Sequence, residues 1–386
     1  MKKSFYLGLA LLALFEAVRV YLIMPMPGSQ GAVRAEFSHS MHAWRWAIRI
    51  LCGLLIVVGI PAIHRARRRW LPATAVLATG LLVWSFNFVM SADRIFHLPA
   101  HLSFATRGDD RIPQDAMVLG VEIHGEAKAY PIRYLVYHHQ IPDTIGGVPV
   151  LVTYCSVCRT GRVFDPVVNG RVESFRLVGM DRWNAMFEDA TTGSWWQQAT
   201  GRAVSGPLAR QALAEIPSAQ LTAREWFGLH AASRIMLADE DSTEGYDLDG
   251  VYERGESTSE LTGTDHGSWN DKSWVVGVET GGASRAYDWN RLKQVRVISD
   301  AVGGTPIVIA LLDDQQSFVV FERPAGAGPF ALDGKTLVGG DRRFDLAGRD
   351  LADPAQRLRL LPASQEFWHS WRTFHPATSR DSSANS

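Results

Sequence analysis

Three apolar stretches near the start of the chain set the strongest limit on its fold. They occupy residues 5–24, 46–63 and 71–90, and each has close to the roughly 20 residues that a helix needs to cross a bilayer. No small-residue cleavage site follows the first stretch, so we interpret it as a span rather than a removed signal peptide. We therefore predict a membrane anchor over residues 1–95 with three transmembrane helices, and the lipid bilayer as the partner of residues 5–90.

Charged residues in and around these stretches predict pairing and orientation. Glu16 and Arg19 lie about one helical turn apart, so we expect them to pair against a neighbouring helix. Basic residues cluster before the first stretch and between the second and third, at Lys2, Lys3, Arg65, Arg67, Arg68 and Arg69, whereas the loop between the first two has Arg34 and Arg45. Because Lys and Arg in short loops stay in the cytoplasm, we predict a multi-pass plasma (inner) membrane protein with its globular part on the extracytoplasmic, periplasmic side.

Composition excludes several classes of protein. The 39 basic and 40 acidic residues nearly cancel, which leaves no electrostatic footprint for nucleic acid. Charged residues make up 20% of the chain, too few for a disordered protein, and 3 cysteines cannot hold a disulfide-rich scaffold. The sequence lacks a Gly-x-Ser-x-Gly elbow, a phosphate-binding glycine loop and a His-Glu-x-x-His pair. A hydrolase is therefore disfavoured, and no nucleotide cofactor is expected.

The globular part contains an internal repeat. Residues 118–165 align without gaps onto residues 275–322, and the glycines, Tyr130 and Asp143 are among the many identities. Alternating apolar residues around glycine turns predict hairpins within each copy. We therefore predict a strand-rich α+β domain built from two repeats, with the boundaries 96–238 for the first repeat, 239–268 for an acidic linker and 269–386 for the second, degenerate repeat with its tail.

Two features of the repeat are expected to be structural. Trp226 and His230 recur as Trp371 and His375, so a buried, hydrogen-bonded role is expected for both histidines. The linker has a calcium-loop-like acidic run that begins at Asp239, but the glycine and the distal glutamate of a calcium loop are absent from their positions. We interpret the linker as a solvated segment.

The first copy has a Cys-x-x-Cys motif that the second copy lacks. Cys155 and Cys158 correspond to Leu312 and Gln315, and features found in one copy of a repeat are candidates for function. Two thiolates at this spacing can bind one metal ion, with copper or zinc as the expected ion. His138, which the second copy replaces by Val, is the first candidate for a further ligand, and His139, Met180 and Met186 are weaker ones.

The same two cysteines support two other interpretations. They can cycle between dithiol and disulfide, since the positive charge of the adjacent Arg159 favours a thiolate, which would make the protein a thiol-dependent oxidoreductase. They can also form a structural disulfide in a non-enzymatic binding or assembly module. Covalent haem attachment is excluded, because Arg159 stands where that motif requires His.

A tryptophan-rich region after the motif is the candidate substrate pocket. Its polar side chains are expected to contact a substrate and its indoles to form the walls. The candidate substrate-binding residues are Asp181, Arg182, Trp183, Trp196 and Gln197, with Trp195 as a further wall residue. The competing interpretation is that the tryptophans belong to the core.

With these motifs the globular part resembles the domain of unknown function 3179 family. The resemblance rests on GVEIHGEAKAYPI, on His138 before IPDTIGGVPVLVTYCSVCRTGRVFD, and on TTGSWWQQATGRAVSGPLA, and it extends over about residues 109–376. The chain departs from the family pattern at Ser156, where a Pro is common, at residues 187–189, and at His139. The resemblance implies a fold and the location of a site, and it implies no reaction.

Overall fold

The computed structural model describes residues 2–31, 35–64, 68 and 70–381. The basic residues Arg34, Arg65, Arg67 and Arg69 lie outside the described residues. The described chain forms nine α-helices: α1 (Lys2–Ile23), α2 (Ala35–Ala43), α3 (Arg45–His64), α4 (Trp70–Trp84), α5 (Ala92–Ile95), α6 (Ile132–His138), α7 (Ala223–Leu229), α8 (Trp289–Val295) and α9 (Trp368–Phe374). A π-helix (Ser85–Val89) continues α4, and a 3₁₀-helix spans Glu240–Gly245.

Strands dominate the rest of the described chain. In order they are β1 (Phe104–Thr106), β2 (Met117–Ile123), β3 (Glu126–Pro131), β4 (Gln140–Ile145), β5 (Val148–Cys155), β6 (Thr160–Phe164), β7 (Val167–Val168), β8 (Arg171–Val172), β9 (Phe175–Asp181), β10 (Asn184–Asp189), β11 (Trp195–Gln197), β12 (Ala203–Ser205), β13 (Glu215–Ile216), β14 (Ala219–Thr222), β15 (Arg234–Met236), β16 (Trp274–Thr280), β17 (Ala283–Asp288), β18 (Val297–Val302), β19 (Thr305–Leu311), β20 (Phe318–Glu322), β21 (Ala331–Asp333), β22 (Thr336–Gly339), β23 (Arg342–Phe344), β24 (Ala363–Phe367) and β25 (Ser379–Arg380). The fold class is therefore α+β, with many strands in several sheets.

The chain divides into two compact units. The first unit, called here the helical unit, comprises Met1–Phe96, Ser174–Gln197 and Arg202–Ala212. It contains α1–α5 and the sheet β12-β11-β10-β9. The second, called here the strand unit, comprises His97–Glu173, Gln198–Gly201 and Leu213–Ser386.

Three helices of the helical unit are long and apolar enough to cross a membrane. They are α1, α3 and the continuous segment Trp70–Val89, at the places where the sequence predicts spans. Gly59 lets α1 and α3 approach closely, since a Cβ at Gly59 would lie 2.4 Å from the Cβ of Phe5. The expected pairing is confirmed, with Arg19 Nη2 at 2.9 Å from Glu16 Oε2.

The strand unit is organised around an eight-stranded sheet in the order β1-β15-β3-β2-β14-β20-β19-β18. Two four-stranded sheets accompany it, in the orders β13-β6-β5-β4 and β24-β16-β17-β25. The segment β2-β3-α6-β4-β5-β6 and the segment β16-β17-α8-β18-β19-β20 have the same order of elements. A single hydrophobic cluster contains buried residues of both segments, so they share a core.

Two glycines allow the same close packing in the two segments of the strand unit. A Cβ on Gly120 would lie 2.3 Å from the ring of Trp226, and one on Gly277 would lie 2.1 Å from the ring of Trp371. Each tryptophan therefore packs directly on the backbone of a strand. His230 and His375 stack on these rings, with centroid distances of 4.1 and 3.7 Å. His375 is buried and His230 is half-buried, so the burial expected for both histidines is seen in full only for His375.

Candidate dithiol site

The hairpin of β5 and β6 carries the Cys-x-x-Cys motif. β5 follows from the apolar run VPVLVTY and is paired on both sides, by β4 and by β6. Cys155 ends β5 and is in register with Thr160 at the start of β6. Residues 156–159 form the turn between them, and Arg159 closes it in the left-handed region with a φ of 57°. The turn brings Cys158 back towards Cys155.

Cys155 and Cys158 approach each other to 3.4 Å. Both are completely buried, and the described chain has no disulfide between them. Bonded disulfide sulfurs are about 2.05 Å apart, so the pair is a contact between two thiols. This geometry permits two reactions: formation of a disulfide after a small movement, or joint binding of one thiophilic ion.

A buried cation lies in the same turn. The guanidinium of Arg159 donates to the Tyr252 carbonyl at 2.9 Å, the Glu253 carbonyl at 2.6 Å and the Gln365 side-chain oxygen at 3.0 Å. All three acceptors are neutral, and among the described residues no carboxylate lies within 4.0 Å of this guanidinium. Arg159 is only 3% exposed. Its charge is therefore held beside the thiols without direct neutralisation, which favours a thiolate.

The turn is closed on one side by Tyr252. Its hydroxyl donates to the Ser156 carbonyl at 2.9 Å and lies 3.2 Å from the hydroxyl of Tyr154. Burial raises the pKa of Tyr154 to about 12 and raises the pKa of Tyr252 as well. Both phenols therefore stay neutral at pH 7 and act as hydrogen-bonding groups around the turn.

Most of residues 239–268, the segment predicted as a solvated linker, are exposed or half-buried, but the segment also carries buried side chains. Tyr252 and Glu253 are buried, and Glu253 pairs with the buried Arg133 at 2.8 Å between Oε2 and Nη2. The sequence does not indicate the burial of Glu253, because Arg133, the partner that makes burial of this carboxylate tolerable, lies far away in the sequence. Burial raises the pKa of Glu253, and the bonds from Arg133 oppose that shift.

The other side of the turn is closed by β24 and α9 of the strand unit. The Phe367 N–H donates to the Cys158 carbonyl at 2.9 Å. The imidazole of His369 hydrogen-bonds to the Val157 backbone, and burial lowers the pKa of His369. Its Nε2 atom is buried, and no hydrogen-bond partner for it exists among the described residues. This face of the turn therefore presents an unsatisfied imidazole nitrogen.

A second cation lies within electrostatic range of the motif. Burial lowers the pKa of Lys272, and the interactions with Glu260 and with Cys158 oppose that shift. The Lys272 ammonium donates to the Glu260 carbonyl at 2.6 Å and also to the Leu261 carbonyl. It is therefore held in place by neutral acceptors, as Arg159 is.

His138, the first candidate for a third metal ligand, lies at the end of α6. Its Nδ1 is 2.5 Å from the His97 carbonyl and its Nε2 is 2.7 Å from the Tyr246 hydroxyl, so both ring nitrogens are occupied. His139 Nδ1 is 2.9 Å from the Tyr154 carbonyl. Both histidines are buried, and burial lowers the pKa of each, of His139 to about 4. These contacts are typical of structural residues.

Three donors converge elsewhere in the described chain. His101, Asp239 and Asp241 place their donor atoms within 4.8 Å of one another, and no other group of three His, Cys, Asp or Glu donors in the described residues is as close. Cys155, Cys158 and His138 consequently do not form such a group. Asp239 already accepts a hydrogen bond from the Ala100 N–H at 2.7 Å, and the other two members are exposed.

The candidate substrate-binding residues lie in the helical unit, with the weaker ligand candidates Met180 and Met186. Arg182 and Trp183 form the turn between β9 and β10 and have φ values of 48° and 69°, which are unusual for bulky residues. Gln197 donates to Asp181 at 2.5 Å, and burial raises the pKa of Asp181. Trp196 donates to Asp189 at 2.9 Å, and Trp195 to Glu188 at 2.8 Å. The cysteines belong to the strand unit.

Sequence reasoning missed the contributions of Tyr252, Lys272 and His369 to the turn. The aligned position of the first copy, offset as for the paired tryptophans, holds Arg224 where the second copy has His369. Searching the second copy for residues absent from the first would have identified this histidine. Nothing in the sequence indicates Tyr252, because its contact depends on how residues 239–268 return to the hairpin.

Comparison with known proteins gives one match. Comparison with curated proteins and with solved structures finds no match to the chain. The sequence model of the family described as protein of unknown function (DUF3179) matches residues 99–378, which is most of the chain and includes the whole dithiol hairpin, and the chain therefore belongs to this family.

Proposed function

We propose that this protein is a membrane-anchored thiol oxidoreductase whose Cys155 and Cys158 cycle between dithiol and disulfide. The observation that carries the proposal is the 3.4 Å approach, in one tight turn, of two buried cysteines that form no disulfide. Reversible disulfide formation requires this proximity, because the second thiol must reach the first without unfolding the strand.

The charges around the turn support the redox role. The thiolate is the reactive form of cysteine, and nearby cations stabilise it. Arg159 supplies a buried positive charge whose hydrogen bonds all go to neutral oxygens. Lys272 supplies a second charge close enough to interact with Cys158. An inert structural cysteine pair would need neither cation.

In the proposed reaction the two thiols lose two electrons and two protons, and one S–S bond forms between Cys155 and Cys158. The electrons pass to a disulfide-bearing or other two-electron acceptor, which is reduced to a dithiol or its equivalent. Exchange proceeds through attack of one thiolate on the acceptor and release by the second. Because both cysteines are completely buried, we assign the acceptor to the class of small molecules rather than folded proteins.

A thiophilic metal ion at the same cysteines is the second candidate. The observation that favours it is the buried Nε2 atom of His369, which lacks a hydrogen-bond partner among the described residues. Soft thiolates select copper(I), and a Cys/His donor set suits zinc. A structural zinc site usually has four ligands, whereas the described residues bring no third His, Cys, Asp or Glu donor within 4.8 Å of both cysteines, so copper(I) held by two thiolates fits better than zinc.

The anchor and the orientation belong to the same proposal. The three apolar helices hold the protein in a membrane, and the bias of Lys and Arg towards one side predicts an extracytoplasmic strand unit. We also propose that the two similar segments of the strand unit arose by duplication, after which one copy retained the cysteines. The sequence identities and the shared order of elements support this history.

The test is a combined thiol, redox and metal analysis of the full-length protein in detergent. The matched set is the wild type, Cys155→Ser/Cys158→Ser, and Cys52→Ala, which removes the cysteine of α3 alone. Thiols are counted before and after oxidation in glutathione buffers of graded potential, and copper and zinc are measured in each sample.

The redox proposal predicts two thiols that disappear and return reversibly in the wild type and in Cys52→Ala, and no bound metal. About one equivalent of copper or zinc, lost in the double variant, would replace it by the metal candidate. A disulfide that resists reduction until the protein unfolds, with a double variant that is merely less stable, would contradict both. That outcome would support a structural clip in a non-enzymatic binding or assembly module.

A further inference from the structure

Three guanidinium groups converge on one cavity of the helical unit. Arg19 comes from the last turns of α1, Arg45 begins α3, and Arg176 projects from β9. All three line a cavity of about 160 Å³, together with His42 and Trp195. The C-terminal ends of α1 and of Trp70–Val89 and the N-terminal end of α3 meet here, so the cavity lies at one end of all three candidate spans.

The cations around this cavity outnumber the carboxylates. Four arginines form the local network. Their ion pairs are Arg19 with Glu16 at 2.9 Å, Arg49 with Glu16 at 2.7 Å, Arg176 with Glu188 at 2.6 Å and Arg176 with Asp93 at 3.3 Å. Arg45 donates to the His42 carbonyl at 2.6 Å, and among the described residues no carboxylate lies within 4.0 Å of it. This network of four arginines and three carboxylates therefore carries one excess positive charge.

Two further observations show that the cavity environment is cationic. The Nε atom of Arg19 is buried, and no hydrogen-bond partner for it exists in the described chain. Burial lowers the pKa of His42 to about 3, and the positive charges of Arg45, Arg19 and Arg176 contribute to that shift. His42 is consequently neutral at pH 7, so it adds no charge and leaves the arginines as the groups that select a ligand.

We propose that this cavity binds the phosphate group of a membrane phospholipid. Guanidinium groups bind phosphate oxygens through paired, charge-assisted hydrogen bonds, and basic pockets between membrane helices recognise lipid headgroups. A cavity of about 160 Å³ is smaller than the roughly 300 Å³ or more of sites for drug-sized ligands, so it suits a compact anion whose acyl chains remain in the bilayer. The inference rests on the proposed membrane anchoring and adds the anionic lipid as a specific partner.

The test is thermal unfolding of the full-length protein in detergent with three probes. These are phosphatidylglycerol, a diacylglycerol with the same acyl chains but no phosphate, and inorganic phosphate. The first variant is Arg45→Gln, chosen because loss of this guanidinium leaves no carboxylate without its ion-pair partner. The second cavity variant is Arg176→Gln. The control is Arg94→Gln, an exposed arginine of α5 outside the cavity lining. Extraction of membranes at alkaline pH reports anchoring separately.

We expect phosphatidylglycerol to raise the Tm of the wild type and of Arg94→Gln and diacylglycerol to leave it unchanged. Each cavity variant should need about fivefold more phosphatidylglycerol for the same shift. Equal shifts with diacylglycerol, or unchanged affinity in the folded cavity variants, would overturn the inference. An equally large shift with inorganic phosphate alone would reassign the site to a free anion. Release of the wild type by alkaline extraction would refute the anchor itself, whatever the lipid probes show.

Discussion

The guanidinium carbon of Arg159 lies 3.8 Å from the centroid of the Trp274 indole ring. Arg159 belongs to the cysteine-bearing turn, and Trp274 is the first residue of β16 in the second of the two similar segments. A desolvated contact of this kind stabilises a structure by about 2 kcal/mol or more. The two segments therefore build the environment of the thiols together, although only one of them supplies the cysteines.

Two replacements of Arg159 should distinguish the effect of its charge on the thiols from the effect of its hydrogen bonds on stability. In Arg159→Gln the cation beside the thiols is lost, so the pH at which the cysteines are half-alkylated should rise by about one unit, with about tenfold slower alkylation at pH 7. Arg159→Lys keeps the charge but loses the planar fork, so its alkylation profile should stay near that of the wild type. Both variants should lose about 1–3 kcal/mol of stability, because buried carbonyls lose a donor.

The control for this comparison is Arg254→Gln. Arg254 pairs with Glu256 on the surface, and its other hydrogen bond goes to the Asp249 carbonyl rather than to residues 155–160. Its alkylation profile should match that of the wild type. If Arg159→Gln gave an unchanged profile in a folded protein, the cation would have no role in activating the thiols, and the charge argument for redox function would be wrong.

Gly120 and Gly277 should resist even a single added methyl group. Gly120→Ala and Gly277→Ala each place a Cβ against an indole ring at 2.3 and 2.1 Å, so each should cost about 1–3 kcal/mol of stability. Gly228 provides the matched control, because it lies in α7 with no atom within 4 Å of an added Cβ. Gly228→Ala should leave the Tm unchanged or raise it, since Ala in a helix can stabilise the fold by about 0.5–1 kcal/mol relative to Gly. Equal losses in all three variants would contradict the packing described for the two tryptophans.

The stability of the protein should fall in mild acid through His139. Burial lowers the pKa of His139 to about 4 in the folded state, against about 6.5 in an unfolded chain. The unfolded chain therefore binds more protons between these values, so stability is full above pH 6.5 and is lost as the pH falls towards 4. The loss from this residue should reach about 3 kcal/mol at pH 4.

Urea unfolding of the full-length protein between pH 4 and 7 measures this effect. His139 has a φ of 60°, a conformation that Asn tolerates, so His139→Asn should fold and show a shallower dependence on pH. The other histidines whose pKa is lowered by burial, which are His42, His138, His230 and His369, retain part of the slope. A variant of the exposed His101 should leave the slope unchanged. A slope equal to the wild type in His139→Asn would refute the assignment.

The local parts of this structure could be predicted from the sequence. The apolar stretches gave the positions of the three long helices, and the glycine-bounded runs gave the hairpins, because both depend on patterns within about twenty residues. The order of elements in residues 117–164 returns in residues 274–322, where the sequence identities lie. The Cys-x-x-Cys spacing likewise indicated that Cys155 and Cys158 would meet, since a turn of this length leaves them little freedom.

The remainder depends on contacts between distant segments. The sequence makes His138 the first candidate for a further ligand because the second copy lacks it, whereas the end of α6 places its ring nitrogens against the His97 carbonyl and the Tyr246 hydroxyl. The acidic composition of residues 239–268 predicts a solvated linker, whereas Glu253 of this segment is buried against Arg133. Neither outcome has a local signal, since each depends on where a partner more than thirty residues away is folded.

His369 lies in α9 and His375 follows directly after it, and variants of these two histidines distinguish the redox proposal from the metal candidate. His369 has a buried Nε2 without a partner among the described residues, whereas His375 has Nδ1 at 3.1 Å from the Trp371 carbonyl and Nε2 at 3.1 Å from Glu279. In His369→Leu the loss of one hydrogen bond, about 0.5–1.5 kcal/mol, is offset by removal of an unsatisfied buried atom. In His375→Leu two bonds and an indole stack are lost with no such compensation. His375→Leu should therefore have the lower Tm, while His369→Leu should keep reversible thiol cycling. If His369→Leu were instead the less stable variant and lost bound copper, Nε2 would have a ligand in the native protein, and the metal candidate would displace the redox proposal.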